Sequence, residues 1–485
     1  MSDRDSATAD RKVTFSEIFA VREYRALFAA SQLSWIGDYM ARAAVMALVF
    51  VQTGSVALSA AAFAISYAPW VLGGPFLTAL AERLRYRTVM VTCDVCRAVL
   101  IGLVAVPGMP LPVMLLLVLG VAMIAPPALA ARSATMPLVL TGDRVVLGIA
   151  VNQAGGQATQ VFGYMAGAVI ASVNPRIALL INSCTFALSA VIVRTGLRDR
   201  PPAMTERQRS NLLRETGEGF RVVFGTPPLR AIAVIVFASM LFAILPEGLA
   251  IGWADELVAG EESRRGFYQG LIMVANPLGV VLGGVLISRL LTPSVRRRLV
   301  PLFAVAAPLS LVPALTEPGL VGVVAMASIC GFIVAGIMPT LNGLFVQILR
   351  HGYRARAFGV MNSGVQIIQG VAVLGSGLLT ELLPIHQVVG FWSAAGVLLM
   401  GVLALRWPPL EFFNRAIAET ERANRIAETG GADQAAEVPD GTVDAAPRPP
   451  DADAPVPCGG AHPDAAHASG RGPADRPADP GTMER

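Results

Sequence analysis

Between residues 26 and 405 the chain alternates between apolar stretches of roughly 20 residues and short polar breaks. At 1.5 Å of rise per residue, one such stretch crosses the ~30 Å hydrocarbon core of a bilayer as a helix. The stretches fall at 26–51, 57–80, 88–107, 112–130, 150–172 and 177–194, then at 230–252, 267–288, 299–316, 319–343, 358–382 and 388–405. Several contain internal Gly and Pro. Membrane helices tolerate these because neighbouring helices satisfy the backbone groups set free. The pattern predicts an all-α integral membrane protein of twelve transmembrane helices, divided six and six by the polar connection 195–229.

The predicted organisation is a polar N-terminal tail (1–25), a six-helix bundle (26–194), a linker (195–229), a second six-helix bundle (230–406) and a tail (407–485). The N-terminal tail has no apolar core, so no cleavable signal peptide is expected and the first crossing directs insertion. In the linker, Leu212, Leu213, Phe220, Val223 and Phe224 recur at helical spacing among charges, which predicts a short helix on the membrane surface. Residues 411–428 fit a charged amphipathic helix. From Gly430 onward Ala, Pro, Asp and Gly dominate, and such a segment is expected to be disordered because it buries too little to offset its ordering entropy.

Charge placement orients the crossings. With the N-terminus inside, 33 of the 38 basic residues lie in cytoplasmic segments, including Arg132 and Arg144 after the fourth crossing. Only Arg176, Arg264 and Arg265 lie outside, and Arg42 and Arg97 sit within helices. The positive-inside rule therefore predicts that both termini are cytoplasmic.

Composition then excludes whole classes. Charged residues make up 15% of the chain, against about 25% in ordinary soluble domains. Lys12 is the single lysine and is followed by Val13, so neither a phosphate-binding Gly-Lys-Ser/Thr loop nor a Schiff-base lysine is available. Nothing combines a nucleophile, a base and an orienting acid, and no enzyme activity is expected. Cys93 and Cys96 form a C-x-x-C without a second pair, inside an apolar run, and read as small helix residues. His351, His386, His462 and His467 are scattered. No metal, cofactor or nucleic-acid partner is expected.

An ionised side chain at mid-membrane costs ~2.5–3.5 kcal/mol on insertion scales, so each one needs a reason. Asp38 lies about twelve residues into the first crossing, with Arg42 at i+4 on the same face. The pair reads either as a proton-titrating carboxylate answering to the arginine or as a permanent ion pair. Glu247, after Pro246 in the seventh crossing, is a second proton-coupling candidate or a binding group for a cationic substrate, or else part of a hydrated helix end. Asp94 and Arg97 lie near the cytoplasmic end of the third crossing, close to Glu82, Arg83 and Arg87. These five form either a cytoplasmic gate or a stabilising cluster.

The two halves echo each other. Asn152, Gln157 and Gln160 in the fifth crossing correspond to Asn362, Gln366 and Gln369 in the eleventh. Each Gln-x-x-Gln pair shares a helix face. Such stripes line a central cavity or join helices by hydrogen bonds.

Several segments resemble the major facilitator superfamily, and within it the bacterial drug–proton antiporter group that includes macrolide efflux proteins and the enterobactin exporter. They are Ser31–Phe50, Leu80–Leu100, Ala131–Leu140, Asn152–Ala168 and Arg354–Gly364. The loop after the second crossing keeps the acid Glu82 and the bases Arg83, Arg85 and Arg87 of that group's pattern but lacks both glycines. The second-half counterpart, Gly284 to Ser288–Arg289, lacks its acid. The fifth crossing keeps Gly163-x-x-x-Gly167 but lacks the proline of the antiporter pattern.

The resemblance implies two pseudo-symmetric six-helix bundles, the major facilitator fold. It also implies proton-coupled efflux of a small amphipathic molecule, such as an antibiotic, secondary metabolite or siderophore, by alternating access. The expected partners are that small molecule, protons and the lipid bilayer, with the chain acting as a monomer. The arginine bias fits a GC-rich bacterial genome and so a bacterial cytoplasmic membrane. An uptake permease of the same fold and a non-transporting sensor or scaffold are the alternatives.

Overall fold

The computed structural model describes residues 14–72, 84–200, 212–258, 260–349 and 353–436. Every regular element among the described residues is helical. In the first half the crossings are Arg22–Thr53, then Val56–Ala64 continued through a 3-10 turn into Ala68–Leu72, then Tyr86–Val104, Leu111–Val139, Asp143–Val173 and Pro175–Gly196. In the second half Pro227–Ala243 runs on through Leu245–Gly248 into Ala250–Val258. It is followed by Glu262–Leu290, Pro293–Leu309 with the 3-10 turn Val312–Thr316, Leu320–Ile348, Arg354–Leu379 and Ile385–Leu405.

Nine of the described helices are long and apolar enough to span a bilayer by themselves. The other three are the broken second crossing, the third with Asp94 and Arg97, and the fifth with its amides. The chain is thus a multi-pass membrane protein. Side chains as exposed as Val173, Val321, Leu382 and Leu405 sit on an outer surface that suits lipid rather than water.

Local chemistry sets the ends of these helices. Gly54 takes a left-handed conformation (φ 67°) and closes the first crossing, its N–H bonded to the Phe50 carbonyl. Ser55 then caps the second, its Oγ accepting from the Leu58 N–H at 3.1 Å. Asn174 serves two helices: its N–H donates to Ile170 O, and its side chain accepts from the Arg176 N–H at 3.0 Å. Pro175 follows as the first residue of the sixth crossing, where its missing N–H costs nothing.

Lipid tails give apolar helices no reason to associate, so packing relies on close approach at small residues. A Cβ on Gly167 would lie 2.6 Å from Met40 O, which is how the fifth crossing seats on the first. Gly279 and Gly331 play the same part between the eighth and tenth, where a Cβ on Gly279 would collide with Ser328 O. Across the halves the fifth crossing packs on the eighth and the second on the eleventh. Exchanging the halves exchanges these two contacts, so the two six-helix halves are related by a pseudo-symmetry.

Residues 1–429 form one compact unit holding all twelve crossings. Between the halves, a helix runs Leu212–Gly225, and Glu218 pairs with Arg356 at 2.7 Å. After the last crossing comes Leu410–Ala436, so the helix extends beyond Gly430, where disorder was expected to begin. Within the first unit this helix seats Phe413 in the core, and the Thr420 O–H donates to Ile348 O at 3.0 Å. The rest of the expected disordered segment, 437–485, lies outside the described residues.

The fourth crossing departs from expectation in length. The apolar run ends near residue 130, but the helix continues to Val139 and carries Arg132 into the interior at 6% exposure. Arg132 is therefore a buried charge and no part of a cytoplasmic loop. A counter-charge on the third crossing makes its burial tolerable.

Candidate functional site

One face of the first crossing carries Trp35, Asp38, Tyr39 and Arg42, at positions i, i+3, i+4 and i+7. These four line a cavity of about 160 Å³ together with Ser66, Pro69 and Trp70 of the second crossing and Arg97 of the third. The fourth crossing contributes Arg132 and small residues such as Ala122 and Ala125, which leave the space open. Among the described residues Gln366 lines it from the second half.

The expected pairings inside the membrane do not form. Asp38 accepts a hydrogen bond from Arg97 of the third crossing and makes none with Arg42. Helix spacing brings Arg42 near Asp38, but Arg97 also has its guanidinium 4.2 Å from the Phe186 ring and within 3.5 Å of Ser34 Oγ. Three partners on two helices outweigh one neighbour on the same helix. Asp94 in turn does not pair with Arg97. It is fully buried, and both its oxygens lie 3.0 Å from one terminal nitrogen of Arg132, while the Ser189 O–H donates to it at 2.7 Å. Two interhelical ion pairs thus join the first crossing to the third and the third to the fourth.

Arg42 is left to the rings. Its guanidinium lies 5.4 Å from the Tyr39 centroid and 5.8 Å from that of Tyr67. Among the described residues no carboxylate comes within 4.0 Å of it, and it donates no hydrogen bond.

Glu247 is 5% exposed and accepts a hydrogen bond from the Tyr164 hydroxyl at 3.0 Å, a contact between the halves. Tyr164 packs edge-on against Tyr39 at 5.1 Å. A line of side chains therefore runs from Arg42 through Tyr39 and Tyr164 to Glu247. Sequence reasoning missed the tyrosines and Arg132. The tyrosines had a signal: 39, 67 and 164 are three of only seven in the chain, each with a hydroxyl placed inside an apolar run.

The amide stripes are distributed unevenly. Gln366 faces the cavity. Asn152 accepts from the Gln32 amide at 3.2 Å, joining the fifth crossing to the first, and Gln32 in turn accepts from the Thr159 hydroxyl. Gln369 lies 3.8 Å from Met240 Sδ. Gln157 and Asn362 are exposed and Gln160 is half-buried, none of them lining this cavity. Of the gate candidates, Arg87 donates to the Arg194 carbonyl at 2.6 Å and so caps the sixth crossing, away from the Asp94 cluster. Glu82 and Arg83 lie outside the described residues.

Between the halves, Gln269 donates to Ala43 O at 3.1 Å, Tyr164 meets Glu247, a Cβ on Gly266 would strike Ser172 and Ala168, and Gly370 lies against Tyr67.

The sequence profile of the Major Facilitator Superfamily matches residues 27–260. No curated protein matches the chain in sequence. Among solved structures, the chain is similar to an inward-facing, unoccupied bacterial homologue of the human lysosomal transporter Spinster. The identity is 13% over 82% of this chain and 97% of that one, with a TM-score of 0.62. It is also similar to a variant of the nucleoside transporter NupG, at 16% identity over 80% of this chain and 100% of that one, TM-score 0.65. The POT family transporter PepTSo matches at 13% identity, covering 82% and 99%, TM-score 0.62. Residues 27–260 thus match the Major Facilitator Superfamily in sequence, and the twelve-helix unit shares the fold of these solved transporters.

Proposed function

We propose that the chain is a proton-coupled secondary transporter of a bacterial cytoplasmic membrane, exporting a small amphipathic molecule by alternating access and acting as a monomer. The observation that carries this reading is Glu247, a buried second-half carboxylate held by Tyr164 of the first half. Rocking one half against the other separates the two side chains, so the carboxylate has different surroundings in the two states. A group whose surroundings differ between states binds protons differently in them, and linkage then ties proton movement to conformation.

This reading puts the arginine-rich loops inside and has the cavity load cargo from the cell. Aromatic rings beside charges suit an amphipathic molecule. The fold itself sets no cargo, since it is shared with a nucleoside transporter and a POT family transporter. Asp38 remains a second proton site, now through its pair with Arg97, and the Asp94–Arg132 pair is a tie that a gate movement would have to break or carry along.

The test is the accumulation of a panel of amphipathic antibiotics and dyes in cells with and without the protein, repeated after an uncoupler collapses the proton gradient. Lower accumulation that the uncoupler restores is expected. Raised, uncoupler-sensitive accumulation would make the protein an uptake permease.

A further inference from the structure

We propose that the cavity selects organic anions with a flat apolar body, and that Arg42 binds the anionic group. This deepens the transport reading and rests on it for the claim that the bound molecule is cargo.

The argument starts from which charges are already compensated. Asp38 has Arg97, Asp94 has Arg132 and Ser189, and Glu247 has the Tyr164 hydroxyl. Arg42 alone of these intramembrane charges has neither a counter-ion within 4.0 Å nor a hydrogen bond among the described residues. An arginine this deep in the apolar layer is costly and needs a partner. The rings of Tyr39 and Tyr67 attract the guanidinium as a cation but supply no acceptor for its N–H groups. The guanidinium fork fits the two oxygens of a carboxylate, sulfonate or phosphate.

The rest of the lining points the same way. Its ionisable side chains are Arg42, Arg97 and Arg132 against Asp38, with Asp94 buried behind Arg132. Arg97 is paired with Asp38 and Arg132 with Asp94, while Glu247, the further carboxylate near Arg42, lies outside the lining and is held by the Tyr164 hydroxyl, so among the described residues Arg42 is the charge the cavity presents without a paired counter-ion. Trp35, Tyr39 and Trp70 give the lining three aromatic rings against which a flat apolar body can pack. Gln366, from the opposite half, can hydrogen-bond a polar group at the far end of the ligand, so one molecule would touch both halves.

The test uses three probes of one shape: 2-naphthoate, 2-naphthamide and 2-naphthylmethylammonium. Each is measured by equilibrium dialysis against the full-length protein in detergent, with a detergent-only control and no pH gradient. Wild type should hold 2-naphthoate at least about tenfold tighter than the amide, and the ammonium more weakly still. Arg42→Gln should remove the preference for naphthoate over naphthamide, and Arg42→Lys should retain part of it. Equal binding of naphthoate and naphthamide, preference for the ammonium, or no binding of any probe would overturn the proposal. So would a folded Arg42→Gln protein that keeps the preference. If that variant fails to fold, the three wild-type affinities decide alone. Because no gradient is present, a failure of proton coupling leaves this result untouched, and a loss of anion preference leaves coupling to be judged by the uncoupler experiment.

Discussion

Asp38 pairs with Arg97, 59 residues away on the third crossing, and not with Arg42 one turn along its own helix. The choice ties two crossings of the first bundle together and frees Arg42 to face the cavity. Removing one partner of a buried pair leaves the other charge uncompensated, at roughly 3–5 kcal/mol when both are fully buried. Asp38 keeps a quarter of its side-chain surface, so the cost here is smaller. Asp38→Asn should lower the thermal midpoint of the purified protein, and adding Arg97→Gln should restore most of the loss. Rescue by Arg42→Gln in place of Arg97→Gln would contradict the pairing.

Glu247→Gln keeps an acceptor for the Tyr164 hydroxyl but removes the proton site. In proteoliposomes the variant should still exchange cargo across the membrane at equilibrium, while movement driven by an imposed pH gradient should fall to the level seen with uncoupler. Full gradient-driven movement would exclude Glu247 as the coupling group and turn attention to Asp38.

Helix contact at small residues gives a paired prediction. A Cβ on Gly279 would collide with Ser328 O, whereas one on Gly284 meets nothing within 4 Å. Gly279→Ala should destabilise by ~1–3 kcal/mol, as overpacked sites do. Gly284→Ala should be neutral, or slightly favourable through its better helix propensity. Thermal unfolding followed by thiol labelling of buried Cys330 would rank the two.

Topology is tested by reporters. A fusion after Arg406 should report the cytoplasm, and one between Glu261 and Arg265 the outside. The same compartment at both sites would break the odd number of crossings between them.

Truncation separates the contribution of the helix Leu410–Ala436 from that of residues 437–485. Stopping after Ala436 should leave membrane insertion and transport near the full-length level. Stopping after Trp407 removes Phe413 from the core and the Thr420 bond to Ile348, and should lower the yield of folded protein. Equal behaviour of the two truncations would show that the helix contributes nothing.

The sequence by itself determined the helices, their number and the six-and-six division, because a bilayer imposes a local rule: about 20 apolar residues per crossing, with basic residues left in the loops. It also exposed Asp38, Arg42, Asp94, Arg97 and Glu247, since a charge inside an apolar run is visible without knowing its neighbours. Only the tertiary structure decided the pairing. Spacing along one helix favours Asp38 with Arg42 and puts Asp94 beside Arg97, but guanidinium groups reach carboxylates on other crossings, and their remaining hydrogen-bond partners come from still other helices. Arg132 escaped notice because a polar residue at the end of an apolar run reads as a loop until a partner such as Asp94 brings it inside. The amides were ambiguous for the same physical reason: whether a glutamine faces space or another helix depends on how the two bundles lean together, and that contact joins residues more than a hundred positions apart.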